Sequence, residues 1–122
     1  MIIQAKKAVV GQNQVNDFWD EIMDGIITDC AEGNHNNADR EINGVLIPGF
    51  IDIHCHGGDG FYFSDENDHN IRQIIKMHQE RGSTGLMASL ITEPIPKRKV
   101  QISRLLPFFK DGSIIGIHLE GP

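Results

Sequence analysis

The fold of this chain is decided by a dense apolar stretch, which reads Val45-Leu46-Ile47-Pro48-Gly49-Phe50-Ile51-Asp52-Ile53. β-Branched and aromatic residues at this density are typical of strands that are buried on both faces of a parallel sheet. By contrast, residues 1–43 contain short apolar runs separated by polar turns, which predict small strands and hairpins. The change in pattern predicts a domain boundary near residue 43.

Helix and strand patterns alternate after this stretch. The first helix is predicted from apolar-face positions at i, i+3, i+4, i+7 spacing: Ile71, Ile74, Ile75 and His78. Asp68 or Ser64 is its expected N-cap, and Gly82 its stop. A strand over residues 85–92, a helix that Pro107 ends and a strand over residues 113–119 complete the order β, α, β, α, β. This order predicts a parallel sheet in an α/β fold.

The composition favours a small-molecule partner. Eleven Lys and Arg residues against 17 Asp and Glu residues give the 122-residue chain a net charge of −6, which disfavours nucleic acid and anionic membranes as partners. Two cysteines, Cys30 and Cys55, are too few for a disulfide framework, and we expect both to be reduced. No apolar run is long enough for a signal peptide or a membrane span. We therefore expect a cytoplasmic protein.

The strongest chemical signal is the His54-Cys55-His56 sequence at the end of the first buried strand. Strict alternation places Phe50, Asp52, His54 and His56 on one face, and Ile51, Ile53 and Cys55 on the other, under the helices. The two imidazoles can then converge on one cation, with Asp52 orienting one of them. The following Gly57-Gly58-Asp59-Gly60 loop would let a ligand approach the backbone. The alternative is a pair of solvated histidines beside a glycine-rich turn.

A second polar group follows the third strand. Ile114, Gly116, His118 and Glu120 share one face of that strand. Parallel strands would bring Glu120 to the same end of the sheet as His54 and His56, and a carboxylate joined to imidazoles is a common ligand set for a catalytic divalent ion. The alternative for Glu120 is a capping or turn carboxylate. His118, on the same face, is a weaker ligand candidate, and the alternative for it is a hydrogen bond within the core. We expect Cys55 to be a small core residue and His78 to be packed and hydrogen-bonded.

These motifs carry a resemblance to a known family. Residues 46–58 resemble the first barrel strand of the amidohydrolase superfamily, and residues 116–122 resemble the motif after the third strand of N-acetylglucosamine-6-phosphate deacetylases. Residues 23–27 resemble a hairpin of that family's N-terminal β-sandwich. The resemblance implies part of a β-sandwich over residues 1–43, followed over residues 44–122 by the first three β/α units of a TIM-type barrel.

The resemblance also implies an activity, a metal and ligands. The enzyme would hydrolyse N-acetylglucosamine 6-phosphate to glucosamine 6-phosphate and acetate with a divalent ion, zinc or iron, and the full-length form would be a homodimer. Glu120 matches the family's metal-ligand glutamate. His54 and His56 match a His-x-His pair that binds a second metal in some members.

The family's remaining catalytic groups have no counterpart in this chain. Two further histidine ligands, the catalytic aspartate and most substrate-binding residues of the family would fall beyond Pro122, so no catalytic or substrate-binding residue is assigned. We therefore expect the chain to be a front piece, and to be inactive and marginally stable by itself. Two alternatives stay open: a piece of another amidohydrolase of the dihydroorotase or hydantoinase kind, and a non-catalytic remnant or interaction domain.

Overall fold

The computed structural model describes residues 1–64 and 67–121, which form two compact units, Met1–Pro48 and Gly49–Pro122. The boundary lies after Pro48 and not near residue 43, because Val45 and Leu46 pair with the first strand of the first unit. The apolar stretch that sequence analysis treats as one strand is therefore shared between the two units. Neither helix in the described part of the chain is long and apolar enough to cross a membrane.

The first unit contains a four-stranded sheet. Its strands are β1 (Ile2–Val10), β2 (Asn13–Met23), β3 (Ile26–Glu32) and β4 (Arg40–Leu46), in the order β3-β2-β1-β4. The β1/β2 and β2/β3 pairs are antiparallel, whereas β4 runs parallel to β1. The predicted hairpins are present, with strands longer than the apolar runs that indicated them.

A tight turn joins β2 to β3. It consists of Asp24 and Gly25, whose φ angles are 52° and 78°. A two-residue hairpin loop with both φ angles positive matches the right-handed twist of the flanking strands, and Asp-Gly is among the sequences that favour it. The turn therefore sets the register between β2 and β3.

The second unit combines a parallel sheet with two helices. Its elements are β5 (Phe50–Cys55), β6 (Gly57–Gly58), β7 (Phe61–Tyr62), α1 (Asp68–Gln79), β8 (Ser83–Leu90), α2 (Ile95–Lys110) and β9 (Gly116–Leu119). Strands β5, β8 and β9 form a parallel sheet in that order, and β6 and β7 form a small hairpin. The predicted β, α, β, α, β order and parallel pairing are confirmed. The chain as a whole is thus a mixed α/β protein with a β-rich portion.

The core of the second unit lies where the helices cover this sheet. It is formed by the following buried side chains: Cys55, Phe63, Ile71, Ile74, Ile75, Leu86, Ala88, Leu90, Leu105, Phe108 and Ile114. The three isoleucines of α1 match the predicted helical spacing. The N-cap is neither Asp68 nor Ser64 but Asn67, whose side chain accepts a hydrogen bond from the backbone N–H of His69 at 2.9 Å.

Helix α2 continues through Pro107, where sequence analysis predicts its end. Pro107 cannot donate the backbone hydrogen bond to Ser103, but both residues are exposed, so water can satisfy the Ser103 carbonyl. The next residue, Phe108, is only 1% exposed and packs in the core. Burial of this aromatic side chain offsets the lost hydrogen bond and keeps the last turn helical.

The alternation of faces along β5 is interrupted. Asp52 pairs with Leu86 while Cys55 pairs with Ala88, so three residues of β5 advance against two residues of β8. Such a bulge puts Asp52 and Cys55 on the same face of the sheet, the face of the buried Leu86 and Ala88. The prediction that Asp52 shares a face with the histidines is therefore wrong. Ile51 and Ile53, expected under the helices, are each 66% exposed.

The turn between β2 and β3 yields a test of the first unit. Gly25→Ala places a Cβ at a φ of 78°, so we expect it to lower the free energy of unfolding by about 1 kcal/mol. Gly44→Ala is the matched control, because its Cβ would meet only Ile42 Cγ2 at 3.8 Å. We expect the control to change stability by less than about 0.5 kcal/mol. Urea unfolding followed by circular dichroism measures both, and equal effects would contradict the assigned turn.

Candidate metal centre

Three side chains meet at the carboxyl ends of β5 and β9. His54 lies near the end of β5, His56 follows it directly, and Glu120 follows β9. Glu120 Oε1 lies 2.6 Å from His54 Nε2 and 3.1 Å from His56 Nε2, and the two Nε2 atoms are 3.2 Å apart. The structure therefore brings together all three residues that sequence analysis predicts as metal ligands.

The backbone of Glu120 is held from several directions. Its N–H donates to the carbonyl of Leu90 at the end of β8, at 3.0 Å. Its carbonyl accepts hydrogen bonds from Thr92 Oγ1 at 2.9 Å and Arg98 Nη2 at 3.3 Å, and Arg98 Nη1 also donates to the Gly121 carbonyl at 3.0 Å. Pro122, the last residue of the motif predicted here, lies outside the described residues. These contacts fix the point from which the Glu120 side chain extends.

The bulge in β5 fixes His54. Asp52 Oδ1 accepts a hydrogen bond from the backbone N–H of His54 at 3.0 Å, which stabilises the bulged conformation. The prediction that Asp52 orients an imidazole ring is thus wrong, because its carboxylate contacts the backbone of His54. Asp52 thus stabilises the conformation of the strand that carries His54.

His118 lies beside the three converging side chains of His54, His56 and Glu120 but is not one of them. Its Nδ1 lies 3.1 Å from the hydroxyl oxygen of Ser89, which is 2% exposed, and its ring centroid lies 4.9 Å from that of His54. The predicted hydrogen bond of His118 is confirmed. Sequence analysis missed Ser89, although a single hydroxyl within the apolar Leu86–Leu90 run was a signal for a polar partner across the sheet.

The glycines after His56 serve packing. A Cβ on Gly57 would clash with the carbonyl of Phe61, and a Cβ on Gly58 with the side chain of Met77 on α1. Glycine at position 57 is therefore required for the β6/β7 pairing, because the clash there is with backbone, and Gly58 leaves room for the end of the Met77 side chain. The close approach of a ligand to this loop stays a prediction.

The donor set fits a divalent cation. Hydrogen bonding with His54 lowers the pKa of Glu120, and its contact with His56 acts in the same direction, so the carboxylate is ionised at neutral pH. The three side chains are roughly one third to one half exposed, which leaves them open to solvent. Two imidazole nitrogens and one carboxylate oxygen, 2.6–3.2 Å apart, are spaced closely enough to contact one ion.

Comparisons with known proteins show similarity to sugar-phosphate deacetylases. No family model matches the chain. The chain is 31% identical to the N-acetylglucosamine-6-phosphate deacetylase of Bacillus subtilis, over 94% of this chain and 32% of that protein. It is 28% identical to the N-acetylgalactosamine-6-phosphate deacetylase of a Shewanella species, over 100% of this chain and 33% of that protein.

Solved structures give the same result. The crystal structure of N-acetyl-D-glucosamine-6-phosphate deacetylase from Mycobacterium smegmatis matches 100% of this chain with a TM-score of 0.90 and 34% identity. A mutant of that enzyme, in complex with N-acetyl-D-glucosamine-6-phosphate, matches with a TM-score of 0.89. The chain covers 33% and 32% of those two chains, so it spans about a third of the length of its relatives. In sequence and in structure, the chain is therefore similar over its whole length to the N-terminal third of N-acetylglucosamine-6-phosphate deacetylases.

Proposed function

We propose that this chain is the N-terminal portion of a metal-dependent amidohydrolase that converts N-acetylglucosamine 6-phosphate to glucosamine 6-phosphate and acetate. The observation that carries the proposal is the convergence of His54, His56 and Glu120 at one end of a parallel sheet. The names of the relatives support this reaction class. They favour a sugar-phosphate deacetylase over the dihydroorotase or hydantoinase alternative and over a non-catalytic remnant.

The residues of this chain supply the ligands for the reaction. A divalent ion, zinc or iron, would act there as a Lewis acid towards the amide carbonyl and lower the pKa of a water molecule. Glu120 provides the negative charge that holds the ion, while His54 and His56 provide two nitrogen donors from β5. His118 supports the ring of His54 through the contact described above. We assign the proton transfers and most substrate contacts to the remaining two thirds of the proposed enzyme.

The proposal also includes the architecture to which the two sheets belong. We assign β5, β8 and β9 as the first three strands of a TIM-type barrel, because they are neighbours in one parallel sheet and are separated by helices. In such barrels, active sites lie at the carboxyl ends of the strands, where His54, His56 and Glu120 lie. The sheet of the first unit would be part of a β-sandwich. We further propose a cytoplasmic homodimer, and both cysteines are unpaired, which supports a reducing compartment.

A second sugar phosphate is a candidate substrate. The relative from Shewanella is named for N-acetylgalactosamine 6-phosphate and matches the full length of this chain. The two substrates differ only in the configuration of one ring hydroxyl, and none of the three converging ligands identifies which sugar is bound. Assays of the proposed enzyme should therefore compare the two phosphates directly.

Metal binding by the chain tests the centre. The background for this test has Cys30 and Cys55 replaced by Ala, so that thiols do not bind the ion. We expect Glu120→Gln to weaken Zn²⁺ binding at least tenfold, about 1.4 kcal/mol, because a neutral amide is a poorer ligand than a carboxylate. Glu80→Gln is the control, since Glu80 is an exposed partner of Lys76 on α1. Calorimetry should show unchanged binding in the control; unchanged binding in Glu120→Gln would exclude Glu120 as a ligand.

Turnover tests the reaction. In the whole enzyme so proposed, we expect Glu120→Gln to reduce kcat for acetate release by about a hundredfold or more, with a much smaller rise in KM. The reason is that the carboxylate holds the ion that stabilises the transition state. Glu80→Gln should retain wild-type turnover. Turnover by Glu120→Gln within about threefold of wild type, roughly 0.7 kcal/mol in barrier, would refute the assigned role.

A further inference from the structure

A second cluster of donor atoms lies on the helix-facing side of β5. It consists of the carboxylate of Asp52, the thiol of Cys55 and the imidazole of His78, whose donor atoms all lie within 4.8 Å of one another. Asp52 and Cys55 come to the same side because of the bulge between them, and His78 comes from the last turn of α1. None of these residues is among the three ligands of the first centre.

The distances within this cluster suit one small ion. Cys55 Sγ lies 3.2 Å from His78 Nε2 and 3.3 Å from the Gly57 carbonyl oxygen, which is 3.2 Å from the same Nε2. The centre of a triangle with these sides is about 1.9 Å from each corner, so an ion slightly above its plane reaches bonding distances of about 2.0–2.3 Å. The Asp52 carboxylate lies within 4.8 Å of the Cys55 and His78 donor atoms and is the fourth donor.

Hydrogen bonds account for two of the three short contacts in this triangle. The thiol of Cys55 carries one proton and Nε2 of His78 carries at most one, in the tautomer protonated there, whereas the Gly57 carbonyl oxygen only accepts. The two protons can serve only two of the three short contacts at a time. One cation would contact all three atoms together.

We propose that Asp52, Cys55 and His78, with the Gly57 carbonyl, form a second cation site that is selective for borderline or soft divalent ions such as Zn²⁺, Co²⁺ and Cd²⁺. Thiolate sulfur and imidazole nitrogen favour these ions over Mg²⁺ and Ca²⁺. Binding forms the metal–sulfur bond and releases the thiol proton to solvent, so the site gains one negative charge as the cation enters. The proposal does not rest on the deacetylase activity.

The position of the site indicates a structural role. Cys55 is 5% exposed and belongs to the core, while Asp52 and His78 are half-buried and give the ion a path inwards. The four donors come from β5, β6 and α1, so a bound ion connects the strand that carries His54 to the helix behind it. Closed sites with protein ligands in all positions are typical of structural zinc.

Cobalt spectroscopy tests the site, because a thiolate bound to Co²⁺ gives a charge-transfer band in the near ultraviolet. The chain has two cysteines, and Cys30 is exposed in the first unit. The Cys30→Ser variant should therefore show the band on titration with Co²⁺, and Cys55→Ser should not. A His54→Ala, His56→Ala, Glu120→Gln triple variant should keep the band, because it removes only the first centre.

A variant of the imidazole donor completes the test. His78→Gln, which keeps a polar side chain on α1, should weaken the Co²⁺ affinity of the band at least tenfold. Absence of the band in Cys30→Ser at saturating Co²⁺ would overturn the site, and this variant leaves the core unaltered, so the outcome does not depend on the folding of Cys55→Ser. Loss of the band in the triple variant, or unchanged affinity in His78→Gln, would equally overturn it.

Discussion

The extra residue in β5 is the constraint on which the rest of the second unit depends. Between Asp52 and Cys55, β5 advances three residues while β8 advances two, and the hydrogen bond from the His54 backbone to Asp52 supports this geometry. Without the bulge, Asp52 would share a face with the histidines, and Cys55 would not align with Ala88. With the bulge, the end of β5 presents the histidines at a solvent-exposed edge of the sheet. The same segment places the Cys55 thiol on the face that the helices cover.

The hydrophobic core of the second unit holds the strand ends and their polar side chains in place. Ile71, Ile74 and Ile75 on α1 and Leu105 and Phe108 on α2 are buried against the sheet. Their burial is non-directional and fixes the layers, whereas the polar contacts at the strand ends are directional and fix individual atoms. Pro107 shows the difference between the two kinds of interaction, because burial of the adjacent aromatic ring outweighs the backbone hydrogen bond that proline cannot make.

Sequence patterns predicted the secondary-structure elements and the three converging side chains, because these depend on local periodicity and on the rule that parallel strands end at one edge. The helix-facing stripe of α1, the parallel order of β5, β8 and β9, and the meeting of His54, His56 and Glu120 all follow from such rules. The position of Asp52 did not follow, because a bulge is a property of pairing with β8 and leaves no mark in the alternation of β5 itself.

Other differences have the same origin in tertiary structure. Val45 and Leu46 pair with β1, a partner some forty residues distant in sequence, which apolar density alone does not reveal. Three polar residues near Asn67 in the sequence have similar capping chemistry, so the sequence alone did not select Asn67 as the N-cap. The barrel, the β-sandwich and the sugar contacts stay predictions, because the chain spans only about a third of the length of its relatives.

In the proposed metal centre, the anchoring of Glu120 has a consequence for the entropy of ion binding. Its N–H and carbonyl are already engaged by Leu90, Thr92 and Arg98 before any ion arrives. The backbone ordering is therefore complete at folding, and only the side-chain torsions of Glu120 remain to be fixed when a cation binds. A ligand prepared in this way captures its ion with a smaller loss of freedom than one on an untethered loop.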